Sequence, residues 1–146
     1  MHYNHLSWTI QPDVNSNSVC YASVTPVIDG VAIETPWIFD TLRILALRRK
    51  GLHELDMFTC SCGVAGCIGI HDSTYIDVDK NLVQWRFPRK APFLGSFNSK
   101  YFVDATLPFV WTFQRTAYRD SLESLQDQLQ LLEDQYKHVS LRLTSD

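Results

Sequence analysis

The chain has 146 residues, a formal net charge of −3, and is 45% apolar and 12% aromatic. A chain of that size buries about 70% of the surface its unfolded form exposes, so residues 1–146 are expected to form a single domain that does not need metal in order to fold. The composition argues against disorder and low complexity. No run of about 18 apolar residues suggests a membrane span, and no cationic-then-apolar leader is seen, so a cytoplasmic protein is expected.

Leu6, Trp8 and Ile10 alternate with His5, Ser7 and Thr9, the period of a half-buried strand. Gln11 to Ser18 is polar and reads as a loop. Val19–Ile28 and Val31–Ile33 flank Asp29-Gly30, which predicts a hairpin on a tight turn, with Pro26 marking an edge or bulge. A helix is then predicted from Pro36 to Lys50. Thr35 would cap it, Pro36 suits its first position, and Ile38, Phe39, Leu42, Leu45 and Ala46 share a face. Arg48, Arg49 and Lys50 would meet the negative end of its dipole, with Gly51 as terminator.

Three of the four cysteines and three of the six glycines fall within Cys60-Ser-Cys62-Gly63-Val64-Ala65-Gly66-Cys67-Ile68-Gly69, with His71 two residues on. The pattern C-x-C-x4-C-x3-H offers soft thiolates and an imidazole at the short spacings of a tetrahedral zinc site. Cys60, Cys62, Cys67 and His71 are therefore the candidate ligands of a structural zinc. His53, Asp72, Asp56 and Cys20 are the alternatives for the fourth position. Two other readings stay open. The sulfurs can fill a small buried pocket without metal, or Cys62 or Cys67 can serve a thiol enzyme with His71 as base. Against catalysis, the spacing is not C-x-x-C and no P-loop, dinucleotide fingerprint, G-x-S-x-G or H-E-x-x-H occurs.

Beyond the cluster, Thr74, Ile76 and Val78 face Val83, Trp85 and Phe87 across Asp79-Lys80-Asn81 in a predicted hairpin. Pro88–Lys100 reads as a basic loop. Arg86, Arg89 and Lys90 with Phe87, Phe93 and Phe97 interleave cations and aromatics in a way suited to nucleic acid, and a pI near 5.9 argues against it. A strand is expected over Phe109–Phe113. The last helix is expected from Asp120, where Glu123 completes a capping box. Its seam of Leu122, Leu125, Leu129, Leu132, Tyr136 and Val139 packs on the domain's own sheet or, alternatively, makes a homodimer. Asp120, Glu123, Asp127, Glu133 and Asp134 give this helix an acidic surface suited to a basic partner. The order of elements predicts an α+β fold: a mostly antiparallel sheet, a central helix, a cysteine- and glycine-rich loop and a long C-terminal amphipathic helix.

The stretch from Trp37 to Phe87 resembles a group of small bacterial cytosolic proteins in which a helix leads into a T-C-S-C-G-x-x-G-C-x-G-I loop and a strand pair ending in V-x-W. The matching residues are Thr59 to Ile70 and Val83-Gln84-Trp85. The resemblance implies an immunity protein that neutralises a cognate toxin, and it transfers no catalytic residue. Protein purified without added metal is expected to carry about one equivalent of zinc by elemental analysis. Replacing Cys60, Cys62 and Cys67 together by Ser should lower its melting temperature, and a metal-free protein with an unchanged melting point would exclude the zinc site.

Overall fold

A computed structural model describes residues 2–14, 19–33, 38–55, 57–59, 74–87, 109–136 and 138–141. Strand β1 (Leu6–Val14) pairs antiparallel with β2 (Val19–Ile28) in the register Leu6↔Ile28, Ile10↔Val24 and Val14↔Cys20. The ladder carries β1 through Gln11–Val14, which the sequence suggested as loop. Those four residues are exposed, so no buried period announced them. At the end of β2, Asp29 and Gly30 adopt φ of +53° and +81°. This is the two-residue turn whose twist suits a hairpin, and it delivers β3 (Val31–Ala32) back onto β2. Pro26 lies inside β2, opposite Trp8. Its carbonyl accepts from Ile33 N–H at 2.9 Å, on the side where β3 ends. A missing amide proton costs no ladder bond there.

Of the predicted helix 36–50, residues 36 and 37 lie outside the described residues and 38–50 hold only α1 (Thr41–Ala46). Its cap is Asp40, whose carboxylate accepts from Arg43 N–H at 3.2 Å. Upstream, Ile38–Phe39 form a short strand, β4, that pairs with β6 (Phe58–Thr59), so tertiary pairing takes residues that periodicity assigned to the helix. Leu42, expected on the buried face, is 57% exposed. Gly51 does not terminate the helix. It opens β5 (Gly51–Leu55) with φ of +134°, a backbone state that side chains resist.

β5 leads a four-stranded antiparallel meander with β7 (Thr74–Val78), β8 (Leu82–Phe87) and β9 (Phe109–Gln114) in the order β5-β7-β8-β9. Its period-two pattern is clean. Thr74, Ile76, Val78, Val83, Trp85, Phe87, Trp111 and Phe113 are buried, while Tyr75, Asp77, Gln84 and Arg86 sit on the other face. The hairpin β7–β8 is the one the sequence predicted.

Helix α2 (Arg115–Gln135) follows β9 directly, starting five residues before Asp120. Tyr118, Leu122, Leu125 and Leu129 are buried against the chain's own sheets. The helix ends before Val139, which belongs to β10 (His138–Leu141), a strand parallel to β2. A dimer through Leu122, Leu125 and Leu129 would have to unpack this core. The fold is α+β with two mostly antiparallel sheets and a long C-terminal helix. Among the described residues no helix is long and apolar enough to cross a membrane.

One core spans both sheets and α2. Trp85, fully buried, meets Phe113 at 5.2 Å, Trp111 at 6.2 Å, Tyr118 at 6.2 Å and Phe39 at 6.1 Å between ring centroids. The first three are edge-on contacts that aromatic quadrupoles favour. Its indole Nε1 donates to the Tyr118 hydroxyl at 3.2 Å. Sheet and helix are also tied at β1, where Trp8 Nε1 donates to Ser121 O at 3.1 Å and Ser121 Oγ donates to Leu6 O at 2.8 Å.

Burial drives the Tyr118 phenol well above the ordinary tyrosine range, while the Trp85 hydrogen bond and the charge of Arg48 pull it partly back. The folded state therefore holds this proton more tightly than the unfolded chain. Stability is intact below the unfolded value of 10.0 and falls as pH rises above it, by up to about 1.4 kcal/mol per pH unit. Tyr118→Phe should lower stability at neutral pH by about 1–3 kcal/mol, because Trp85 Nε1 loses its acceptor in a dry core, and should flatten this alkaline slope. Urea unfolding at neutral and alkaline pH checks both.

Candidate functional site

Cys60, Cys62, Cys67 and His71 lie outside the described residues, as do Asp56 and Asp72. In sequence they fall between β5 and β7, strands that pair along Leu55↔Thr74 to Gly51↔Val78. Among the described residues no three His, Cys, Asp or Glu side chains gather as a metal group. Cys20 is a free, fully buried thiol on β2. His53 is on β5, with Nε2 at 2.7 Å from Arg49 O.

The acidic residues of α2 are all exposed. Asp120, Glu123, Asp127 and Asp134 step by three, four and seven residues, so they form one stripe opposite the buried Leu122, Leu125 and Leu129. Glu133 lies off that stripe, one turn beyond Leu129. The stripe is lightly paired. Arg119 Nε approaches Asp120 Oδ1 only at 3.9 Å, with both side chains more than half exposed, and Gln130 Nε2 donates to Asp134 Oδ1 at 3.1 Å.

The basic aromatic pattern fares differently. Phe87 is buried, 1% exposed, and cannot stack on a base without leaving the core. Arg86 is exposed but held by Asp77 Oδ2 and Gln84 Oε1, each at 3.0 Å. Arg89, Lys90, Phe93 and Phe97 lie outside the described residues.

Sequence reading passed over a cleft of about 650 Å³ where α2 begins. Arg48 reaches it from beyond α1, Lys80 from the β7–β8 turn, and Arg115 and Arg119 from α2. Its apolar wall includes Leu47, Val78, Val83 and Leu122. Among the described residues no carboxylate lines it. Arg48 Nε donates to Leu45 O at 3.0 Å, but its Nη2 is buried with no hydrogen-bond partner among the described residues. Arg115 is anchored by its own N–H to Asn81 O at 3.0 Å and by Nη1 to Asp79 O at 3.2 Å. The four cations stand at positions 48, 80, 115 and 119, too far apart for any linear motif to reveal. The uneven charge at the start of α2 was the one available signal.

No protein-family profile, curated protein or solved structure matches this chain.

The start of α2 is electrostatically inverted. Gln114, the N-cap, makes no side-chain capping bond, and the first turn holds no acidic residue. Helix amides and dipole place partial positive charge at that end, where this sequence adds two arginines. Gln114 has the extended backbone, φ −65° and ψ 131°, that a capping side chain requires. Gln114→Asp should therefore stabilise the protein by about 1 kcal/mol, read as a higher urea midpoint at unchanged slope.

Proposed function

We propose that this chain is a binding protein that acts without turnover, and that its partner is a basic protein docking on the outer face of α2. The observation that supports this reading is the stripe of Asp120, Glu123, Asp127 and Asp134, with Glu133, off the stripe, adding to the charge of the same helix. It is exposed along a helix whose opposite side is committed to the core. Carboxylates held on a rigid rod steer a cationic partner and raise its association rate. The resemblance of the Thr59–Ile70 segment adds the setting: an immunity protein in the cytoplasm that neutralises a cognate toxin. In that setting the Cys60, Cys62, Cys67 and His71 loop, closed on zinc, serves as an architectural element between β5 and β7. The loop rests on sequence spacing alone.

The test uses purified basic nuclease domains of bacterial toxins as partners and follows binding by stopped flow at low and high salt. One such domain should bind with an association rate that drops steeply with salt. Reversal of Glu123, Asp127 and Asp134 to Lys should slow its association by about tenfold or more at low salt while leaving the melting temperature within a few degrees. Binding that ignores both salt and this triple reversal would remove the acidic face from the function.

A further inference from the structure

The basic cleft is a different kind of surface from the acidic face and does not depend on it. Solvated cations on a protein exterior need no ligand to explain them, but two features here go beyond a solvated face. The first is Arg48, whose buried Nη2 lacks a hydrogen-bond partner among the described residues. A guanidinium nitrogen withdrawn from water without an acceptor is costly. The second is the first turn of α2, uncapped by any side chain and free of carboxylates, with Arg115 and Arg119 concentrated at the end the dipole already makes positive. Each defect is independent of the other. An anion in the cleft would answer both, since it can accept from the Arg48 guanidinium and from first-turn amides other than that of Arg115, which Asn81 O already holds, and it carries charge opposite to the cations that line the cleft.

The rest of the cavity narrows the chemistry. Its volume of about 650 Å³ lies within the range of about 300–1,000 Å³ that holds whole small molecules, far more than a bare inorganic anion fills. Tyr3, 40% exposed, and the half-buried Leu47 present apolar surface to the cleft, with the buried Val78, Val83 and Leu122 behind it, which rewards an apolar or ring-bearing body rather than water. Arginine is also the residue that best matches the several acceptor oxygens of phosphate. We propose that this cleft binds a small organic phosphate of mononucleotide size. Its phosphate monoester would sit among Arg48, Lys80, Arg119 and the first turn of α2, and its ring or apolar body against Tyr3 and Leu47.

Isothermal titration of the full chain with adenosine 5′-monophosphate, phenyl phosphate, inorganic phosphate and adenosine tests the proposal. The two monoesters should bind saturably at one site. Inorganic phosphate should bind about tenfold more weakly or worse, as expected if the apolar wall contributes even about 1.4 kcal/mol, and adenosine should give no saturable heat. Arg48→Gln should weaken the monoesters about tenfold or more. Because Arg48 is partly built into the core, the exposed Arg119→Gln and Lys80→Gln variants provide the same reading without risk to folding. Gln114→Asp separates ligand binding from stability, since the new carboxylate should raise the melting temperature and still reduce monoester affinity. The proposal is overturned if none of the phosphates binds saturably, or if affinity is the same in wild type, Arg119→Gln and Lys80→Gln. It is equally overturned if a single-stranded oligonucleotide binds the protein and monoesters fail to displace it, because the cations would then serve an extended polyanion.

Discussion

The indole of Trp85 holds the molecule together at the point where three layers meet. It lies on the inner face of the β5-β7-β8-β9 sheet, fully buried, with Trp111 and Phe113 beside it in β9, Phe39 from β4, and Tyr118 of α2 above it. A Trp side chain brings a large apolar area but also one N–H that cannot be left dry. The Tyr118 hydroxyl meets that need at 3.2 Å. Rotation or translation of α2 along the sheet would strand the indole proton, so a single polar contact fixes the register of a helix that apolar packing alone would hold less specifically.

A second layer of constraint operates where the two sheets approach each other. Asn4 acts almost as an added strand residue on β9: its N–H donates to Thr112 O at 2.6 Å and its Oδ1 accepts from Thr112 N–H at 2.9 Å. Its Nδ2 donates to Asp29 Oδ2 at 2.7 Å, in the turn between β2 and β3. Asp29 also accepts from His5 N–H at 2.8 Å. One asparagine thereby links the edge of one sheet to the tight turn of the other. With α2 bonded to Leu6 and Trp8 through Ser121, the angle between the sheets is fixed from two sides. The walls of the cleft at the head of α2 inherit that rigidity, since β7, β8 and α2 all contribute to it.

Much of this architecture was written in local patterns. The Asp29-Gly30 hairpin, the Thr74–Phe87 hairpin and the leucine seam of α2 have a period and turn chemistry that agree with their burial, so the α+β class followed from them. Other features were hidden, and for three of them particular residues give the physical reason. The described part of the helix 36–50 shrank to α1 because Ile38–Phe39 found partners in Phe58–Thr59, residues 19 and 21 positions apart that no helical wheel brings together. β5 was obscured because Leu52, Glu54 and His53 do not form a simple apolar alternation, and Leu52 is 62% exposed. Asp120 attracts the expected start of α2 because Asp is a strong capping residue, whereas the structure begins the helix at Arg115 behind a Gln with no capping bond. That last miss concealed the cleft as well. Its cations come from distant positions and only a folded chain assembles them, whereas the acidic stripe is visible in sequence because one helix carries it.

The parallel pairing of β10 with β2 has a consequence for biogenesis. His138 to Leu141 lie against Val19 to Ala22, nearly the full length of the chain apart, while every other neighbour of β2 is local. The pairing of β2 with β1 and β3 is local and can form early, whereas the outer amides and carbonyls of residues 19–22 wait for partners 119 positions further along the chain. Contacts at such sequence separation form late, and an open strand edge invites intermolecular pairing while it waits. β10 thus works as a latch on β2: without it the outer edge at residues 19–22 would stand open to pairing between chains.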